Sequence, residues 1–214
     1  ALAAECAGFG FHLDFAPVLD VWSNPDNTVI GKRAFGSDWK VVSGFGAAVS
    51  NALQAAGVIP VVKHFPGHGD TVVDSHMGLP VVDKSLEDLS LQELPPFRDL
   101  ISGGETPSGR AEAVPAVMVA HILMTQLDPD LPASLSPAVV TDLLRGELGF
   151  GGVVFTDDLT MGAITQNYGL GEAAVLAVEA GCDMLLVCHG RDSVDAARSA
   201  LLEAAASGRI SQAR

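Results

Sequence analysis

Five runs of apolar or β-branched residues recur along the chain, at Phe11 to Val21, Val58 to Val62, Pro115 to His121, Gly152 to Phe155 and Asp183 to Val187. They are short and continuous rather than alternating, the pattern of strands buried on both faces. Between them lie longer stretches with helical punctuation. Trp39 to Ala56 follows Ser37-Asp38, an N-cap signal, and Leu86 to Ile101 follows Ser85 with Glu87 and Asp88 in its first turn. Ser136-Pro137 introduces Ala138 to Glu147 with proline at the first helical position. Leu170 to Ala180 stops at Gly181, and Asp192 to Ala206 stops near Gly208. Strand–helix alternation of this kind predicts a parallel sheet whose faces helices cover.

Polar and ionisable residues gather where the apolar runs end: Asp20, Lys63-His64, His121, Asp157-Asp158 and His189. Five strands placing such groups at one end predict a barrel mouth rather than the single crevice of an open sheet. The expected fold is therefore α/β, a TIM-like (β/α)8 barrel, with residues 1–214 forming a single domain. Such a barrel has eight strands in about 250 residues, and only five runs are evident here. Because the chain opens in what reads as the last turns of a helix, the N-terminal strands are expected to be missing. Ser102 to Pro115, rich in glycine, proline and charge, reads as a solvated surface insertion.

With 214 residues, 48% of them hydrophobic, the chain can bury a substantial core. Its net charge of −14 argues against nucleic acid or an anionic membrane as a partner. No apolar run approaches the roughly 18 residues of a transmembrane segment, so none is expected. Cys6, Cys182 and Cys188 are an odd set without a C-x-x-C pair and read as buried free thiols.

The densest chemistry lies in Val61 to Pro80, VVKHFPGHGDTVVDSHMGLP, which holds three of the six histidines. His64 and His68 have the i, i+4 spacing of zinc ligands on a helix, but Pro66, Gly67 and Gly69 oppose a helix there. With Asp70, Asp74 and His76 close by, a metal site and a satisfied polar loop both stay open. If Asp74-Ser75-His76 is extended, residues two apart share a side and the carboxylate can meet the imidazole. That pairing would orient the ring and suit it for general acid–base work. Asp157 and Asp158 end an apolar run, so one carboxylate can face the barrel axis while the other bonds the surrounding backbone. A helix cap is the alternative for Asp158, whereas a strand-end position points Asp157 towards catalysis. Arg33, in the Asn24 to Phe35 loop, could fork onto sugar hydroxyls or a carboxylate, or sit in a surface salt bridge. Gly8-Phe9-Gly10 and Gly44-Phe45-Gly46 lack the third glycine of a dinucleotide fingerprint, and no phosphate-binding loop or nucleophile elbow occurs.

FAPVLDV, GKRAF, KHFPGHGDTVVDSH and FTDDLTMGAI occur in that order, with LDPDLPASLSPAVVTDLLRGELGFGG between the last two. Together they resemble the family 3 glycoside hydrolases, in particular the β-N-acetylhexosaminidase branch with its NagZ-type β-N-acetylglucosaminidases. The resemblance runs from Phe11 to Arg214. It implies a TIM-like barrel that removes terminal β-linked N-acetylglucosamine with retention of configuration, from peptidoglycan-derived glycans such as muropeptides or related glycans, without metal or other cofactor. It further implies Asp157 as the nucleophile, with His76 as acid/base and Asp74 as its dyad partner, in place of the usual two carboxylates. By the same matching Lys63, His64 and Arg33 would hold sugar hydroxyls, and Asp20, His121 and Met161 would line the pocket. Gly67, Gly69 and Gly78 would let the His76 loop swing over bound sugar. A phosphorylase of the same branch and an inactive sugar-binding relative are the alternatives. Family members also carry an aspartate in a D-x-E-G-G-like motif ahead of these segments, which this sequence lacks. The alanine-rich, lysine-poor composition points to a GC-rich bacterial source, where an exported or envelope-attached location is slightly favoured.

Overall fold

In the computed structural model, which describes residues 1–75, 77–106 and 109–211, the five apolar runs pair side by side in the order in which they occur. The strands Leu13–Asp14, Ile59–Phe65, Ala116–Val119, Val153–Asp158 and Met184–Leu186 form one wholly parallel sheet. Parallel neighbours need a crossover to carry the chain back. Here the helices Trp39–Ala55, Leu86–Gln92, Pro95–Ser102 and Leu170–Ala180 and the π-helix Ala138–Glu147 supply it. Their apolar faces, including Val42, Phe97, Leu100, Val140 and Leu144, are buried in one cluster with Val62, Val117 and Val154 of the sheet. The other sheet face is concave and carries a smaller cluster of Val61, Ala116, Met118 and Phe155, with Leu13, Phe15 and Leu186 against it. Of the expected TIM-like (β/α)8 barrel with strands missing, the structure shows a curled half-barrel: among the described residues the parallel sheet has five strands and does not close. None of the described helices is long and apolar enough to cross a membrane.

Register decides which side chains reach the concave face. Val61 pairs with Ala116, Ala116 with Val153, Met118 with Phe155 and Phe155 with Met184. Paired residues share a face and every second residue returns to it. Two positions beyond Val61 stands Lys63, and two beyond Phe155 stands Asp157, so both belong to the concave side at the strands' C-terminal ends.

Several elements differ from expectation, each for a local reason. The first run pairs only at Leu13–Asp14 and again through a bridge from Val18 to Lys63. Pro17 between them has no N–H to give a ladder, though its carbonyl accepts from Lys63 N–H at 3.2 Å. The second run extends past Val62, so Lys63 and His64 lie inside the strand Ile59–Phe65 rather than beyond it. The single helix expected over Leu86 to Ile101 is two helices, because Pro95-Pro96 can only begin a new one. Ser85 caps the first with a reciprocal box: its hydroxyl accepts from Asp88 N–H at 3.1 Å, while the Asp88 carboxylate accepts from Ser85 N–H. Ser102 to Pro115 is not all loop, since Gly104–Thr106 pairs antiparallel with Gly109–Ala111. Of the three free thiols only Cys182 is buried; Cys6 is half-buried and Cys188, just beyond the last strand, is exposed.

Candidate active site

All five strands deliver ionisable groups to one end of the sheet, through Asp20 after the Val18 bridge, Lys63 and His64, His121 after Ala116–Val119, Asp157 with Asp158, and His189 after Met184–Leu186, whose Nε2 stands 3.7 Å from Asp158 Oδ2. The two adjacent aspartates have different fates. Asp158 accepts from Thr160 N–H at 3.0 Å, from the Thr160 hydroxyl at 2.6 Å and from Cys188 N–H at 3.0 Å. Burial pushes its carboxyl up, but these bonds outweigh burial and hold it below the ordinary value. It is spent on the turn that follows the strand. Asp157 is half-buried on the concave side, where one carboxylate oxygen accepts the short local bond from Asp158 N–H at 2.8 Å. Burial lowers the Lys63 ammonium below its usual range; the Asp157 charge opposes that shift and the Arg33 charge adds to it. Lys63 thus feels both Asp157 and Arg33 at this end of the sheet.

Asp20 is fully buried, so it meets the cleft only through its partners. His64 Nδ1 stands 2.6 Å from Asp20 Oδ2, and His68 N–H donates to Asp20 Oδ1 at 2.6 Å. Burial acts to raise the Asp20 carboxyl, yet the His64 and His68 contacts prevail and leave it lowered. A carboxylate can only accept, so His64 Nδ1 carries the proton in this bond. His121 is also buried. Its Nε2 lies 3.0 Å from the Asp158 carbonyl and its Nδ1 lies 2.6 Å from the Ser134 hydroxyl. Nε2 must donate to that carbonyl, and burial lowers the ring's proton affinity, so Nδ1 is left to accept from Ser134. Expected as pocket lining, His121 instead fastens the backbone of the aspartate pair from behind.

Arg33 is exposed on the 3-10 turn Gly31–Arg33, and its Nε and Nη2 both donate to the Val29 carbonyl, at 3.2 and 2.8 Å. Met161 is nearly buried and caps the short helix Gly162–Thr165. His76 lies outside the described residues. The expected Asp74–His76 pairing therefore also falls outside them; beside it, the Asp74 carbonyl accepts from both Met77 and Gly78 N–H. Two of the three supposed hinge glycines are packing positions. A Cβ on Gly69 would sit on the Val21 carbonyl, and one on Gly67, whose φ is +133°, would meet Glu93. Close backbone approach, not freedom to swing, is what these two positions require.

His68, for which the sequence left a metal ligand and a satisfied polar loop both open, is part of a buried polar network. It is 2% exposed; its ring nitrogens meet the Thr71 and Ser75 hydroxyls, and the ring packs edge-on against that of His64, with centroids 5.8 Å apart. Among the described residues no group of three or more His, Cys, Asp or Glu side chains is arranged to hold a metal. Asn27 was missed altogether. Its amide donates to the His68 carbonyl at 2.7 Å and its side-chain oxygen accepts from Ile30 N–H at 2.8 Å, which ties the Arg33 loop to the His68 loop. The flanking turn sequence Asn24-Pro25-Asp26-Asn27 was the available signal. A cavity of about 390 Å³ adjoins Lys63, lined also by Asp14, Phe15, Leu13, Phe11 and Cys6.

The family model of the glycosyl hydrolase family 3 N-terminal domain matches residues 1–214. A beta-hexosaminidase from Stenotrophomonas maltophilia is 40% identical over 188 residues, 88% of this chain and 52% of that protein. Beta-hexosaminidase LpqI from Mycobacterium tuberculosis is 44% identical over 183 residues, 83% of this chain and 44% of that one. The solved structure of a glycoside hydrolase family 3 beta-N-acetylglucosaminidase from a Paenibacillus species superposes with a TM-score of 0.93 at 48% identity, covering 99% of this chain and 39% of that chain. The chain spans about half the length of the curated relatives it matches.

Proposed function

The chain belongs to the family 3 glycosyl hydrolases, and from that membership we propose that the full-length protein is a retaining exo-β-N-acetylglucosaminidase, with residues 1–214 in its catalytic barrel domain. Its substrates are terminal β-linked N-acetylglucosaminides of peptidoglycan-derived or related glycans. One observation carries the assignment of the nucleophile: Asp158 is consumed by the Thr160 turn, while Asp157 stands on the concave side within the field of Lys63.

In the proposed reaction an Asp157 carboxylate oxygen bonds to the anomeric carbon as the bond from that carbon to the leaving oxygen breaks. His76, partnered by Asp74, gives its proton to the leaving oxygen. It then takes a proton from water, whose oxygen adds to the anomeric carbon and releases Asp157. Lys63, His64 and Arg33 hold sugar hydroxyls. Asp20 and His121 act from behind, the first by fixing His64 and the second by fixing the aspartate backbone.

A slow fluorinated N-acetylglucosamine analogue tests this directly. Mass spectrometry should find the trapped sugar on the peptide containing Asp157, and a label elsewhere, or no label in an active preparation, would remove the assignment. Digests run in inorganic phosphate should release free N-acetylglucosamine. Sugar phosphate as the product would make the protein a phosphorylase instead.

A further inference from the structure

We propose that His68 is a positioning residue that grips Ser75 and so fixes the segment carrying the acid–base pair; the role rests on the function proposed above. The ring itself is immobile. His68 N–H is held by the buried Asp20 carboxylate at 2.6 Å, its carbonyl accepts from Asn27, and its side chain is enclosed. The neighbouring hydroxyls then decide which nitrogen carries the proton. Thr71 O–H donates to the His68 carbonyl at 3.1 Å, so the Thr71 oxygen can only accept from His68 Nδ1, 2.6 Å away. Burial lowers the ring's proton affinity, and a neutral ring protonated at Nδ1 leaves a lone pair on Nε2. That lone pair meets the Ser75 hydroxyl at 3.3 Å, with the Ser75 O–H as donor.

Ser75 stands in sequence between Asp74 and His76, and it is itself 3% exposed. It is gripped on two sides. His68 holds its hydroxyl, and Ala163 N–H, from the helix that follows the Asp157 strand, donates to its carbonyl at 2.9 Å. Two residues on, the Met77 carbonyl accepts from the Gln166 side chain at 3.1 Å. The Ala163 bond is made by backbone and survives any side-chain change. The imidazole–hydroxyl contact is a buried side-chain tie on this segment, and it joins the segment to Asp20, the same carboxylate that fixes His64. One buried aspartate thereby sets the sugar-gripping histidine and the acid–base segment in a common frame.

The test uses the full-length protein with Ser75→Ala and His68→Asn, each assayed on two N-acetylglucosaminides. One has a sugar leaving group that needs protonation, the other a nitrophenolate that does not. General acid–base help is worth about 100- to 10,000-fold. Both variants should therefore lose on the order of 10-fold or more in kcat/KM on the sugar substrate and less than about 3-fold on the nitrophenyl one, with KM little changed. Equal losses on both substrates, or no loss in Ser75→Ala, would overturn the role. Should His68→Asn fail to fold, as read by its melting temperature, Ser75→Ala decides alone, because it removes one oxygen and no packing. Asp157→Ala runs alongside. If that variant still turns over both substrates, the proposed function falls and this role falls with it; if it is silent on both, any failure belongs to His68.

Discussion

At the residue scale, burial turns two histidines into neutral, oriented parts of the scaffold. His68 and His121 both have proton affinities lowered from the ordinary 6.5, burial being the largest cause in each. Below that pH the unfolded chain takes up protons that the folded one refuses. Their contribution to stability is therefore fully present above about pH 6.5 and is lost as the pH falls towards the depressed folded values. Each histidine can add up to about 1.4 kcal/mol per pH unit to the slope. Asp20 acts in a separate, lower window: its carboxyl is held below 3.8, so its contribution is lost only as the pH drops through that depressed value. Urea denaturation between pH 7.5 and 5 should show stability falling with pH, and His121→Gln should flatten that slope. An unchanged slope in the variant would show that His121 is not buried neutral. The aspartates teach the complementary lesson. Their alternation across a strand was legible as two adjacent letters, but which one the turn would consume depended on Thr160 and on Cys188, which lies on the next strand's exit.

At the scale of elements, glycine and proline were read correctly as punctuation but not always for the right purpose. Pro95-Pro96 divides one expected helix into two, because a proline ring within a helix removes a hydrogen bond and crowds the preceding turn. Gly69 looks like a hinge in sequence and is a contact in space. Gly69→Ala should destabilise the fold by about 1–3 kcal/mol or more through overpacking against Val21. Gly78→Ala, whose new Cβ would meet Val73 at an ordinary 3.7 Å among the described residues, should stay within about 0.5 kcal/mol. Thermal melts of the two variants distinguish packing from hinging; equal melting temperatures would restore the hinge reading. Lys63 and His64, expected just past a strand, lie within it. The apolar count ends at Val62, but pairing continues because Phe65 still finds Val119 across the sheet.

At the scale of the whole molecule, five strands among the described residues curl without closing, and the concave face stays apolar down to its lower edge. Ile59, Val153 and Met184 there are 44%, 41% and 50% exposed. They sit on the face whose upper end holds Lys63 and Asp157, so one surface runs from apolar floor to ionisable rim. Exposed apolar side chains grouped at one edge of a sheet attract apolar ligands. Residues 1–214 expressed alone should accordingly bind 8-anilinonaphthalene-1-sulfonate with enhanced fluorescence while keeping a cooperative melt. A silent dye would show this face to be covered.

The sequence by itself determined the parallel sheet, the order of its five strands and the end at which the chemistry gathers. Continuous apolar runs can only be buried between helices, and right-sized helical stretches leave parallel pairing as the outcome. It also singled out Asp157, Lys63 and His64 by their place at strand ends. What only the tertiary structure decided is the division of labour among similar groups. Asp20 and His121 point into the protein and orient other groups, Asp158 closes a turn, and His68 changes from a possible metal ligand into the grip on Ser75. These outcomes depend on hydroxyls, carbonyls and carboxylates that are distant along the chain, such as Ser134 beneath His121 and Asp20 beneath His68. Hydrogen-bond partners are chosen by what folding brings within about 3 Å, and no local pattern of residues encodes that.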